Sequence, residues 1–266
     1  MKCYDFFYDG EYLSEMGYVL CRFGSGGMDT ISNGSEITFN TVSSQYGQKF
    51  ELANTEYEDC ISATFQICID PCNLNIQEIS IDEMRKIMRW LNRKGFHKFK
   101  LVDPEYTNIY FEASFNVSKI ELDGILVGFE LEMTTNSPYA HMEPITIQIK
   151  NGITEGTYER SLVCKSDDEG FIYPKMEITV NGEGDLEITN EFENRTTIIK
   201  NCSVGEVITL DHPVIQTSNA EHKIMDDFNW VFFRLAKTYK DDNNPITISL
   251  PCTIKLTYSP IVKVGI

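Results

Sequence analysis

The chain has 266 residues, with 40 Asp plus Glu against 23 Lys plus Arg and a formal net charge of −17. That balance argues against a protein that wraps a phosphate backbone, because counterion release needs clustered Lys and Arg. A hydrophobic content of 42%, with 16 Phe and 13 Tyr, excludes a disordered acidic tail.

No run approaches the roughly 20 apolar residues of a membrane span. The opening Met1-Lys2-Cys3-Tyr4-Asp5 lacks an apolar signal core. We therefore expect no membrane partner and synthesis in a cytoplasm. The eight cysteines then read as reduced thiols. Cys68 and Cys72 lie closest together, and the four histidines supply no zinc-finger spacing. Neither a metal nor another cofactor is expected. The N-x-S/T triplets at Asn33, Asn116, Asn194 and Asn201 are composition only without secretion.

The chain holds 29 Ile, 21 Thr and 13 Val against 15 Leu and 6 Ala. β-Branched residues suit a pleated, half-buried surface, so a mainly β fold is predicted. In chain order, short strands are expected at Val19–Phe23, Glu36–Asn40 and Lys49–Ala53. Gly24-Ser25-Gly26-Gly27 lacks the Gly-Lys-Ser/Thr ending of a phosphate loop and reads as a flexible connection. From Cys60 to Ile69, Ile61, Ala63, Phe65, Ile67 and Ile69 alternate with polar or small residues, a strand with one buried face.

Ser80-Ile81-Asp82-Glu83 has the form of a capping box. Met84, Ile87, Met88 and Leu91 follow at helical spacing, so a helix over 81–94 is predicted, with Gly95 as its left-handed stop. Strands follow at Phe96–Val102, Tyr110–Leu122 and Ile125–Met133. The last two flank Asp123-Gly124, a hairpin signal.

Near residue 140 the pattern breaks at Pro138 and Pro144, which suggests a domain boundary. Strands are then expected at Ile145–Ile149, Ser161–Cys164, Met176–Val180, Asp185–Thr189, Thr196–Lys200 and Val207–Leu210. Asp227–Leu235, Thr247–Leu250 and Ile254–Tyr258 complete the set. Their spacing fits a β-sandwich.

Catalytic signatures are missing: the sequence has no G-x-S-x-G elbow and no HExxH. Asp241-Asp242-Asn243-Asn244 has the look of a calcium loop. Ile246 stands where the turn glycine belongs and Cys252 where the bidentate Glu belongs, so a polar hairpin turn is the better reading. Phe228, Trp230, Phe232 and Phe233 could form a sugar-stacking face, but a buried sandwich strand explains them more simply.

Arg85, Lys86, Arg89, Arg93, Lys94, Lys98 and Lys100 hold 7 of the 23 positive charges within 16 residues. Two readings of this concentration stand side by side. It is a solvated helix face complementing the helix dipole, or a patch that meets acid on a neighbouring chain. Under the second, Arg85, Lys86, Arg89, Trp90, Arg93 and Lys94 are the candidate interface residues.

The two ends of the chain also resemble a known family. Asp5-Phe6-Phe7-Tyr8-Asp9-Gly10 followed by Met16-Gly17-Tyr18-Val19-Leu20 is similar to the start of phage distal tail proteins. Pro174-Lys175-Met176-Glu177-Ile178, Leu186-Glu187-Ile188-Thr189-Asn190 and Val204-Gly205-Glu206-Val207-Ile208-Thr209-Leu210-Asp211 follow that family's order. Asn244-Pro245-Ile246-Thr247-Ile248 and Lys255-Leu256-Thr257-Tyr258-Ser259-Pro260 close it in the same manner.

The resemblance implies a structural, non-enzymatic protein in two parts. An N-terminal β domain with one helix, residues 1–140, would form a hexameric ring below the tail tube. A C-terminal galectin-like β-sandwich, residues 141–266, would project outward. The implied partners are further copies of the chain, the tail tube protein, a tail-associated fibre or lysin protein and receptor-binding proteins. The implied location is the virion tail tip, after assembly in the bacterial host cytoplasm. Some members carry an inserted carbohydrate-binding module, for which the second half here is too short. The galectin likeness is one of fold and carries no sugar site.

Six copies would bear −102, six times −17, and an acidic lumen would let DNA pass without specific binding. A glycoside hydrolase ranks last, since none of the 40 carboxylates is singled out as a catalytic pair, and the residues leave one stronger alternative open. It is a stand-alone, monomeric carbohydrate-binding β-sandwich module.

Overall fold

Alternating apolar residues become strand along most of the chain, and the strands close around two separate cores. The computed structural model describes residues 4–23, 36–43, 50–57, 59–72, 78–153 and 156–265. The Gly24–Gly27 connection and Asn33 lie outside the described residues.

The first unit comprises the described residues up to Met142 together with Val262–Gly265. Its elements are β1 (Phe6–Tyr8), β2 (Glu11–Tyr12), β3 (Tyr18–Cys21), β4 (Ile37–Ser43), β5 (Phe50–Tyr57), β6 (Ser62–Ile69), α1 (Ile81–Leu91), β7 (His97–Leu101), β8 (Ile109–Leu122), β9 (Ile125–Thr135) and β10 (Ala140–Met142). The main sheet runs β2-β1-β7-β8-β9-β6-β3, and β10 pairs with β8. Its pairings are antiparallel. Among the described residues, β4 and β5 pair only with each other, as a two-stranded arm.

An aromatic core joins this sheet to α1. Phe6, Tyr8, Phe99, Phe111, Phe115 and Phe129 are all buried. The Trp90 ring stacks on Phe6 with centroids 5.7 Å apart. Ser80 caps the helix as predicted: its Oγ accepts from Glu83 N at 3.2 Å, and Glu83 Oε2 accepts from Ser80 N at 2.8 Å. The helix ends at Leu91 with Asn92 as C-cap, short of the predicted 94. Gly95 does adopt φ +88°, but in the turn beyond the helix. Asn92 leaves the helical conformation at φ −84° and ψ 77°, and Arg93 just beyond it reaches back to Asp9.

Gly128 in β9 marks a close approach. A Cβ there would lie 2.4 Å from Ile67 O and 2.7 Å from the Phe23 ring. The Ile67 carbonyl is held in the ladder of β6, so it has little room to retreat. Gly128→Ala is therefore expected to destabilise the first unit by about 1–3 kcal/mol, as overpacking does. Urea unfolding of the variant against wild type measures this.

The second unit runs from Glu143 to Ile261. It contains β11 (Ile145–Asn151), β12 (Tyr158–Val163), β13 (Gly170–Ile172), β14 (Lys175–Val180), β15 (Gly184–Asn190), β16 (Arg195–Cys202), β17 (Val207–Asp211), β18 (Val214–Thr217), α2 (Ile224–Asp227), β19 (Leu235–Lys237), β20 (Asn243–Ile248) and β21 (Cys252–Tyr258). One sheet is ordered β11-β21-β14-β17-β18, a second β12-β20-β15-β16, and β13 pairs with β19. Met176, Ile178 and Val180 of the first sheet share one core with Leu186, Ile188, Ile246 and Ile248 of the second. This is a β-sandwich.

The last residues do not stay with it. Val262 and Val264 pack against the first unit's core, and Tyr106 Oη donates to Gly265 O at 2.9 Å. The division at 140 had given these residues to the second half.

Two expectations for the second unit are corrected. The predicted strand Asp227–Leu235 is instead the end of the short helix α2, an irregular stretch, and the start of β19. Phe228, Phe232 and Phe233 are nevertheless buried. The predicted turn at Asp241-Asp242-Asn243-Asn244-Pro245 begins earlier, where Thr238 N donates to Asp241 O at 2.8 Å. Asn243, Asn244 and Pro245 already belong to β20.

Candidate functional site

In a β protein without a catalytic signature, the informative surfaces are those that leave polar or apolar groups unused. The basic concentration around α1 is the first. Ile87, Trp90 and Leu91 face the core. Trp90 is only 7% exposed and its Nε1 donates to Tyr8 O at 3.1 Å, so it offers no contact surface. Arg93 is also engaged: Nη2 lies 2.8 Å from Asp9 Oδ2, and Cζ sits 5.3 Å from the centroid of the Tyr8 ring. Burial pushes the Tyr8 hydroxyl above its ordinary pKa, against the nearby Arg93 charge.

Arg85 pairs with Asp82 at 3.4 Å across one turn, a fully solvated contact of little energetic weight. Lys98 Nζ lies 4.7 Å from the centroid of the Tyr110 ring. Arg85, Lys86, Arg89 and Lys94 are exposed. Among the described residues, Lys86, Arg89 and Lys94 have no carboxylate within 4.0 Å. The patch of seven cations is thus three free ones on a helix face and the turn after it.

The second surface is the β4–β5 arm. Its register sets Ile37 opposite Tyr57 and Phe39 opposite Thr55. A bulge between Asn40 and Thr41 keeps Leu52 opposite Thr41, on that same face. Ile37, Phe39 and Leu52 are 43%, 63% and 56% exposed. The arm's own protomer leaves this apolar row largely in water. Sequence alternation located both strands but could not show that they leave the main sheet.

The third surface lies on the second unit, where residues 228–234 cross the edge strand β16. Asn229 clamps the crossing. Its N donates to Ile198 O at 3.1 Å and its Nδ2 to Thr196 O at 2.9 Å, while its Oδ1 accepts from Ile198 N and Val231 N, each at 3.1 Å. The next residue, Trp230, has φ +59° and is 51% exposed. Among the described residues, the other non-glycine residues at positive φ are Asp9, Asp123, Asn194 and Asn201, types that tolerate this region. For a bulky side chain the conformation stores about 1–3 kcal/mol of strain.

Next to the short helix α2 sit buried polar groups that the sequence did not flag. His222 Nδ1 lies 2.6 Å from Glu206 Oε1, its Nε2 lies 3.4 Å from Asp227 Oδ2, and Glu206 Oε2 accepts from Ser203 N at 3.0 Å. Thr217 Oγ1 donates to the same carboxylate.

No group of three or more His, Cys, Asp or Glu is placed to hold a metal among the described residues. Burial drives the Cys21 and Cys252 thiols up to about 12 and Cys202 up to about 11, which leaves them protonated and poor ligands. Among the described residues, no helix is long and apolar enough to cross a membrane.

Comparison with known proteins gives the class. A family described as phage tail protein N-terminal domain matches residues 1–137, and one described as phage tail C-terminal domain matches residues 139–258. The chain belongs to this phage tail protein family and is a component of the phage tail. Seven solved chains match its fold. One is the crystal structure of the SPP1 Dit (gp 19.1) protein, described as a paradigm of the hub adsorption apparatus in phages that infect Gram-positive bacteria. The two share 10% identity over 97% of this chain and 99% of that one, with a TM-score of 0.67. The likeness is one of fold. No curated protein matches.

Proposed function

We propose that this protein is the distal hub of the tail. Six copies close into a ring that joins the tail tube protein above to a fibre or lysin protein below, and the ring carries receptor-binding proteins. The second unit is then the galectin-like sandwich that projects from the ring. The observation that carries this reading is the β4–β5 arm. A two-stranded sheet is at best marginally stable in water on its own. An arm with one apolar face is completed by a surface of the next copy, the heterologous contact that a ring requires. The free cations Lys86, Arg89 and Lys94 supply charge complementarity toward an acidic neighbour.

Native mass spectrometry at high protein concentration tests the ring. The expected mass is six times 30.5 kDa, or 183 kDa. A particle that stays near 30.5 kDa at every concentration sinks the proposal and favours the monomeric sugar-binding module. Phe39→Asp combined with Leu52→Asp is expected to abolish the hexamer while leaving the melting of both cores unchanged. Arg89→Glu with Lys86→Glu should weaken assembly in a salt-dependent way. Arg93→Glu is the poorer probe, because it also breaks the contact to Asp9.

A further inference from the structure

Six aromatic rings of the second unit touch in sequence. Trp230 meets Phe228 at 5.7 Å, Phe228 meets Phe232 at 5.0 Å, and Phe232 meets His212 at 5.0 Å. His212 then stacks on Tyr173 at 4.1 Å, and Tyr173 meets Phe171 at 5.5 Å. The two ends, Trp230 and Phe171, are 51% and 53% exposed. They differ in one respect. The Arg234 guanidinium lies 3.9 Å from the centroid of Phe171, held there by two bonds to Glu193 of 2.6 and 2.8 Å. That end is capped from within. Trp230 has no such cover among the described residues, and its indole N–H has no acceptor there.

We propose that Trp230 is the platform of a shallow saccharide site, which takes the apolar face of a neutral pyranose ring against its open indole. Three observations converge on this. The position is strained for a bulky residue, and Asn229 fixes it through four hydrogen bonds, so the ring is presented rather than left loose. A rigid, amphipathic ring with a donor at its edge suits a ligand that has a C–H face and ring hydroxyls.

The surroundings select the chemistry. Asp226 and Asp227 precede the tryptophan closely, and residues 141–266 carry 19 Asp plus Glu against 12 Lys plus Arg, which disfavours anionic ligands. A cation cage needs several exposed rings, whereas Phe228 beside it is buried. A protein anchor is normally ringed by further contacts that exclude water. Here Met225 is the one other large apolar residue exposed between 219 and 234, and Asp226 and Asn229 lie open to water.

The test uses the full chain with maltotetraose, cellotetraose, galactotetraose and chitotetraose as probes. Trp230 and the buried Trp90 are the only two tryptophans, so an exposed-indole emission signal belongs to Trp230. A saturable blue shift with at least one probe is expected, with half-saturation on the order of 1 mM. Trp230→Phe should weaken the response, and Trp230→Gly should abolish calorimetric binding. Because glycine relieves the positive φ, Trp230→Gly should melt no lower than wild type. The proposal fails if no probe shifts the emission or if Trp230→Gly still binds. It fails equally if Trp230→Gly melts several degrees lower, which would make the indole a structural wedge. Loss of native mass in that variant, without any sugar response in wild type, would assign the residue to a protein contact instead. The sugar-binding and melting outcomes do not depend on whether the ring forms, since each sandwich carries its own Trp230; only the native-mass outcome does.

Discussion

Glu206→Ala is expected to destabilise the second unit by about 3 kcal/mol or more, because several buried groups lose a charged acceptor at once. The Glu206 and His222 side chains are 1% and 2% exposed, so neither lost contact is replaced freely by water. The substitution strands Ser203 N, Thr217 Oγ1 and His222 Nδ1 together. Glu206→Gln should recover little. The carboxylate only accepts, and an amide NH₂ would face one of its donors.

Acid should act through the same residue. Burial alone would raise the Glu206 carboxyl, but hydrogen bonds from Thr217, His222 and Ser203, with the electrostatic pull of His222, outweigh burial and hold it below the ordinary 4.5. A folded-state pKa below the unfolded one means the unfolded chain binds the proton first. The stabilisation is therefore complete above about 4.5 and is lost as pH falls through the lower folded value. Urea unfolding measured from neutral pH into this acid range should show a steeper loss for wild type than for Glu206→Gln. Parallel curves would refute the assignment.

The second large effect is expected at Asn244, which is fully buried in β20. Its Nδ2 donates to Ala236 O at 2.9 Å and Asp242 O at 3.0 Å. Its Oδ1 accepts from Ala236 N at 2.8 Å and from Asn190 Nδ2 at 2.9 Å. Asn190 Nδ2 in turn donates to Arg234 O at 2.9 Å. The two amides fasten β19 and the residue just before it to the sheet. Asn244→Ala leaves several buried groups without partners and should cost about 3 kcal/mol or more. Asn244→Asp keeps the shape but loses the donor, so it should be nearly as damaging at neutral pH. Amide hydrogen exchange should show the loss first at Ala236, whose N–H Asn244 holds directly.

These residues also show where sequence reasoning reaches its limit. The helix was legible because Ser80, Glu83 and the apolar spacing are local signals that satisfy local donors. The Asp123-Gly124 hairpin was legible for the same reason, with both residues at positive φ, +52° and +83°. Asn244 was read as a turn residue because polar clusters usually are. Its acceptors come from residues 236 and 242 and its donors from 190 and 236, a constellation created only by folding.

The stretch from Asp227 to Leu235 misled for a related reason. Phe228, Phe232 and Phe233 carry the composition of a buried strand, while Asn229 supplies by side chain the hydrogen bonds that a ladder would have made. The charges of the basic cluster are legible along the chain, but burial of Trp90 and capture of Arg93 depend on the strand that carries Tyr8 and the turn after it that carries Asp9.

The return of residues 262–265 to the first unit has a mechanical consequence. The chain leaves that unit after Met142 and returns to it at Val262, so the sandwich is tied to it by one peptide lead and by a C-terminal segment held through packing and a hydrogen bond. A pull on the sandwich loads both connections, and the packed segment is the one that can let go without a bond breaking.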